Sequence, residues 1–148
     1  MNKRGVTLIE LIVVFVIIGI MALLLVPNIG AWMPSYRLRS ATRDIVSTFR
    51  GAQMRAISEC ISYQVSFNTA DTGLANNNTG YIIVGTADVK RLPPEITIVS
   101  NTLQNFRVTF NTDATLDTAI PASITLQNTK GAQRTISLLS ATGKVTIQ

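Results

Sequence analysis

The run from Val6 to Val26, VTLIELIVVFVIIGIMALLLV, constrains this chain more than any other stretch. Its only polar side chains are Thr7 and Glu10. As a helix rising about 1.5 Å per residue it reaches about 31 Å, close to the bilayer core of about 30 Å. Lys3 and Arg4 precede it and no acid does. By the positive-inside rule the N-terminus stays in the cytoplasm and the chain beyond Val26 lies across the membrane.

Glu10 sets this run apart from a plain anchor. An ionisable group in a membrane helix costs about 2.5–3.5 kcal/mol on insertion scales, so it calls for a partner. Gly5 and Val6 place a small residue at the junction between the basic leader and the apolar run. An ordinary signal peptide is cut beyond its apolar segment at an A-x-A-like site, and neither Ala22 nor Gly30 stands in such a pattern. A cut before the run keeps it in the mature protein.

The string Lys3-Arg4-Gly5-Val6-Thr7-Leu8-Ile9-Glu10-Leu11 resembles the type III signal of type IV pilins and pseudopilins. That resemblance implies cleavage after Gly5 by a prepilin peptidase and methylation of the new terminal residue, Val6, where Phe is usual. It also implies that Glu10 pairs with the terminal amine of a neighbouring subunit. Residues 1–5 are then a leader peptide, 6–59 the N-terminal helix with its span at 6–26, and 60–148 the β-rich globular domain.

Composition narrows the chemistry. The formal charge is +5, and loss of Lys3 and Arg4 with the leader lowers it by two, too mild a balance for a dedicated nucleic-acid binder. Cys60 is the single cysteine, so no internal disulfide or Cys-cluster zinc site is available. The chain has no histidine, which removes Ser-His-Asp and Cys-His catalysis and histidine-metal sites. No enzyme activity and no cofactor are expected.

Beyond the span, Pro27 predicts a kink or local melting. Pro34 fits either a second kink or the first position of a fresh helix. From Ser35 to Glu59 a helical stripe follows, with Leu38, Ala41, Ile45, Phe49, Ala52 and Ala56 on one side. The arginines lie mostly off that stripe, and Arg55 and Glu59 are spaced as an i, i+4 pair.

After Cys60, read as a buried small hydrophobe, the period changes to two. Strands are expected at 61–67, 81–84, 96–99, 106–110, 123–127, 134–139 and 144–147, with 68–80 and 111–121 as polar loops. The last three strands form a meander whose apolar face needs the helical stripe as cover. The fold class is α+β: a long N-terminal transmembrane and amphipathic helix packed on an antiparallel β-sheet.

The C-terminal string SITLQNTKGAQRTISLLSATGKVTI, following an aromatic strand at Phe110, resembles the end of the GspH/FimT group of minor pilins and pseudopilins. Members are low-abundance subunits that start a filament or sit near its tip, and Glu10 implies a further neighbour to pair with. The resemblance implies a structural subunit of a type IV pilus or a type II secretion pseudopilus. The implied partners are the prepilin peptidase, other pilin or pseudopilin subunits, and an inner-membrane assembly platform with its ATPase. The implied location is the bacterial inner membrane with a periplasmic globular domain, then a periplasm-spanning or surface filament.

Two further groups of residues resemble binding sites. Lys130, Arg134 and Lys144 cluster in the last strands, and some related minor pilins of competence pili bind DNA through basic C-terminal residues. Three basic residues with no interleaved aromatics would hold phosphates weakly and in a salt-dependent way, so nucleic acid is the lesser alternative. Asn111, Asp113, Thr115 and Asp117 alternate like the start of a calcium loop. Leu116 stands where glycine is needed and Ala122 where an acid is needed, which favours a polar surface loop. Intact mass tests the processing signal. The mature chain is expected to start at Val6 with one added methyl group, and Gly5→Ala should leave the full-length species.

Overall fold

A computed structural model of the chain describes residues 6–25, 29–117 and 121–148. Lys3, Arg4, Gly5 and Pro27, on which the leader and the expected kink rest, lie outside the described residues. The chain divides into two compact units, Met1–Met33 and Pro34–Gln148.

In the first unit α1 runs Leu8–Leu25. The next helix, α2, spans Ile29–Glu59 and carries Pro34 in its interior. Proline there removes one backbone donor but does not restart the helix, so the fresh-helix alternative falls away. The expected stripe is the buried one: Leu38, Ala41, Ile45, Phe49, Ala52 and Ala56 are all buried. Two threonines share that side because their hydroxyls bond back to the preceding turn. Thr42 donates to the Leu38 carbonyl at 2.7 Å and Thr48 to the Asp44 carbonyl at 3.0 Å.

The strands form two four-stranded antiparallel sheets where one was expected. The first has the order β3-β2-β1-β5, from Tyr63–Ser66 (β1), Gly80–Ile83 (β2), Lys90–Arg91 (β3) and Arg107–Phe110 (β5). Val65 of β1 lies between Ile83 and Val108. The second has the order β4-β6-β7-β8, from Ile96–Asn101 (β4), Ala122–Asn128 (β6), Gln133–Leu138 (β7) and Val145–Ile147 (β8). Its register sets Ile124 opposite Ile136 and Leu126 opposite both Ile98 and Arg134. The expected meander is therefore extended by β4.

One core joins both sheets to α2. Phe49 of the helix meets Phe67 edge-on at 6.2 Å and Phe110 at 6.0 Å, and Phe67 meets Tyr81 at 5.5 Å. These separations suit the ring quadrupoles. On the second sheet Ile124, Leu126, Ile136 and Leu138 are fully buried.

Several local expectations need correction. Cys60 is exposed, not buried, because it takes a left-handed conformation (φ 53°) as the helix ends. Ile61 is also exposed, and the strand starts at Tyr63. Phe106 belongs to a 3-10 turn at Gln104–Phe106, with φ 58°, and β5 starts after it. Glu59 accepts the Tyr63 hydroxyl, and no Arg55–Glu59 ion pair forms among the described residues.

The segment read as loop after Asn68 contains a one-turn helix, α3, at Thr69–Thr72. Asn68 caps it by accepting the Ala70 N–H, and Gly73 ends it in the left-handed conformation. Asp71 on this turn accepts two hydrogen bonds from Arg107 of β5, both at 2.7 Å, and one from the Ser66 hydroxyl. The guanidinium first, and Ser66 second, lower the Asp71 carboxyl below its ordinary value. A depressed folded value means stability that is present above about pH 4 and lost as pH falls through the folded value. Unfolding by denaturant should therefore show Asp71→Asn less stable than the parent at pH 7, with the difference vanishing at the acid end.

Candidate assembly interface

The expected assembly residues lie at the start of α1. Val6 is 74% exposed. Thr7 donates from its backbone N–H and its hydroxyl to Glu10 Oε2, each at 3.2 Å, while the Glu10 N–H donates to Thr7 Oγ1 at 3.4 Å. This is a reciprocal capping box, with Thr7 as N-cap and Glu10 three positions on. Glu10 thus already has one partner in its own chain. Its other oxygen, Oε1, accepts nothing among the described residues. The Thr-x-x-Glu spacing signals this cap in the sequence, and the expectation of an intersubunit partner passed over it.

Behind the cap, every side chain from Leu8 to Leu23 is exposed, although Glu10 is the single polar one in that stretch. A helix apolar all round is stable in a core or in lipid. No helix among the described residues is long and apolar enough to cross a membrane. As described, α1 has 18 residues, about 27 Å, and Thr7 precedes it as the cap.

The three basic residues do not form one patch. Lys130 sits in the β6–β7 turn, and Lys144 sits beyond the other end of β7, where its carbonyl accepts the Leu139 N–H at 3.0 Å. Arg134 shares a register position with buried Leu126, on the helix-facing side, about 16 Å of strand from the level of Lys144. The expected cluster is thus spread along β7.

The Asn111–Asp117 loop is closed on itself. Asp113 Oδ1 accepts from the Thr115 N–H at 3.0 Å and hydroxyl at 2.6 Å, and Asn111 Nδ2 donates to Thr115 Oγ1 at 3.2 Å. Among the described residues no group of His, Cys, Asp and Glu is arranged to hold a metal ion.

The Gly143-Lys144-Val145 motif has a steric explanation that the sequence did not reveal. Half-buried Gln53 of α2 donates to the Ala114 carbonyl at 3.0 Å and the Gly143 carbonyl at 3.4 Å. Gly143 has φ 59°, and a Cβ there would lie 2.1 Å from Ala114 O and 2.4 Å from Gln53 Nε2. The glycine lets the last hairpin close on the helix. Gly143→Ala should cost about 2–4 kcal/mol, combining left-handed strain with overpacking. Gly131, with φ 80° and its nearest neighbour 3.9 Å away, is the control. Its alanine variant should lose about 1–2 kcal/mol, both read by denaturant unfolding.

With this geometry in hand, residues 1–26 match the prokaryotic N-terminal methylation motif. The fold is similar to two crystal structures of the type IV minor pilin FimU of Pseudomonas aeruginosa strain PAO1. One gives a TM-score of 0.59 over 75% of this chain and 92% of that chain, and the other 0.60 over 77% and 90%. Both are 16% identical, so the likeness is one of fold. A comparison with curated protein sequences finds no match. Neither the motif nor the fold supports the nucleic-acid alternative.

Proposed function

We propose that this chain is a minor pilin or pseudopilin, a non-enzymatic structural subunit of a type IV pilus or a type II secretion pseudopilus. The observation that carries the reading is α1. A helix whose side chains are exposed from Leu8 to Leu23 and apolar apart from Glu10 lies within the methylation motif and precedes a pilin-like globular unit. Fold alone would not support a role; the helix, the motif and the fold together do.

In this reading the precursor sits in the bacterial inner membrane with its globular unit in the periplasm. Prepilin peptidase cuts between Gly5 and Val6 and the Val6 amine is methylated. On extraction by an assembly platform and its ATPase, α1 trades lipid for the helices of other subunits, which keeps its apolar surface out of water. Glu10 Oε1, which accepts nothing among the described residues, then accepts from the terminal amine of a neighbour, and that charge pair fixes the axial register.

A strain lacking this chain, assayed in parallel for surface pili and for secreted protein, tests the role. Loss of pili with normal secretion assigns it to a type IV pilus, and loss of secretion with intact pili assigns it to a secretion pseudopilus. Retention of both rules out the assembly role.

A further inference from the structure

Where α2 crosses the end of β7 and β8, a cleft of about 260 Å³ is lined by Arg39, Thr42, Arg43, Arg134 and Ile147. Three arginines line it and no acid does. Arg39 and Arg43 stand one helical turn apart, so their side chains share a face. Arg134 comes from the opposite wall. Its register position beside Leu126 puts it on the helix-facing side of the sheet, half-buried, where an apolar residue would continue the core.

Two arginines of the globular unit have acidic partners among the described residues. Arg37 pairs with Glu95 at 2.6 Å and Arg107 with Asp71 at 2.7 Å. Among the described residues Arg39, Arg43 and Arg134 have no such partner. Thr42 offers no counter-charge, and its hydroxyl proton is committed to the Leu38 carbonyl. Arg39 and Arg43 are exposed and Arg134 is half-buried, and an anion lying in a cleft lined by three cations and no acid is favoured by their charge.

We propose that this cleft is a binding site for a single oxyanion, a carboxylate or a phosphate group. Guanidinium N–H forks match the paired oxygens of either group. The site suits one anion and not a phosphate track. No aromatic side chain lines it, and Lys130 and Lys144 lie toward opposite ends of β7. The inference does not rest on the filament reading, since the cleft belongs wholly to the globular unit.

The test uses full-length protein in an uncharged detergent at low salt, following its unfolding midpoint. One arm adds sodium phosphate and the other an acetylated, amidated tetraglutamate peptide, each against sodium chloride at equal ionic strength. A ligand that binds the folded state raises the midpoint with concentration. A rise with phosphate alone identifies a free oxyanion, a rise with the peptide alone identifies a protein carboxylate, and a rise with both identifies the shared chemistry. Arg43→Gln, at an exposed helix position, should weaken the apparent affinity by about tenfold or more. Arg134→Gln should abolish the response while leaving the unliganded midpoint unchanged or higher, which a purely structural arginine would not do. If Arg134→Gln lowers that midpoint, Arg39→Gln decides in its place. No rise in either arm beyond the chloride control, or a rise that survives Arg39→Gln and Arg43→Gln combined, overturns the site.

Discussion

One side of α2 has to cover two sheets, and the rest of the globular unit follows from that requirement. Neither four-stranded sheet buries an apolar face by itself, and Phe49, Ile45 and Leu38 provide the shared surface. The aromatic cluster around Phe49 anchors the first sheet, while Ile124, Leu126, Ile136 and Leu138 close over the helix from the second. The small residues Ala41, Ala52 and Ala56 let the strands approach the helix closely. Polar groups reach this side where their donors are satisfied locally, as with Thr42 and Thr48.

What could be read in advance was whatever repeats with a fixed period. The stripe from Leu38 to Ala56 and the alternation in β6 and β7 are long enough to reveal their elements, and their buried residues are the expected ones. The split into two sheets was not legible, because period-two alternation says which face of a strand is buried and not which strand lies beside it. The two-residue β3 and one-turn α3 are too short to carry a period. Cys60 illustrates a different limit. Its apolar character suggested burial, but the chain had to leave the helix there, and the left-handed turn carries its side chain outward.

The candidate site divides in the same way. Val6, Glu10 and the apolar run are local features, and the linear string was enough to single them out. The relation of Gln53 to Gly143 joins residues ninety positions apart, and no local pattern announces it. The same is true of Arg134. In the string it stands with Lys130 and Lys144, whereas in the fold its neighbours at the cleft are Arg39 and Arg43 of the helix.

The Thr7–Glu10 cap bears on what a cut between Gly5 and Val6 would change. All the groups that start α1, the Thr7 N–H, its hydroxyl and the Glu10 carboxylate, lie downstream of that bond. Such a cut would remove none of them, so the groups that start the helix would be the same in precursor and product. Processing would then act as a change of charge without a change of these capping contacts: a neutral peptide linkage would give way to a cationic amine four residues from a carboxylate already held in place. The first turn would need no new contacts within the chain to become competent, and the new chemistry it would present is confined to its terminus.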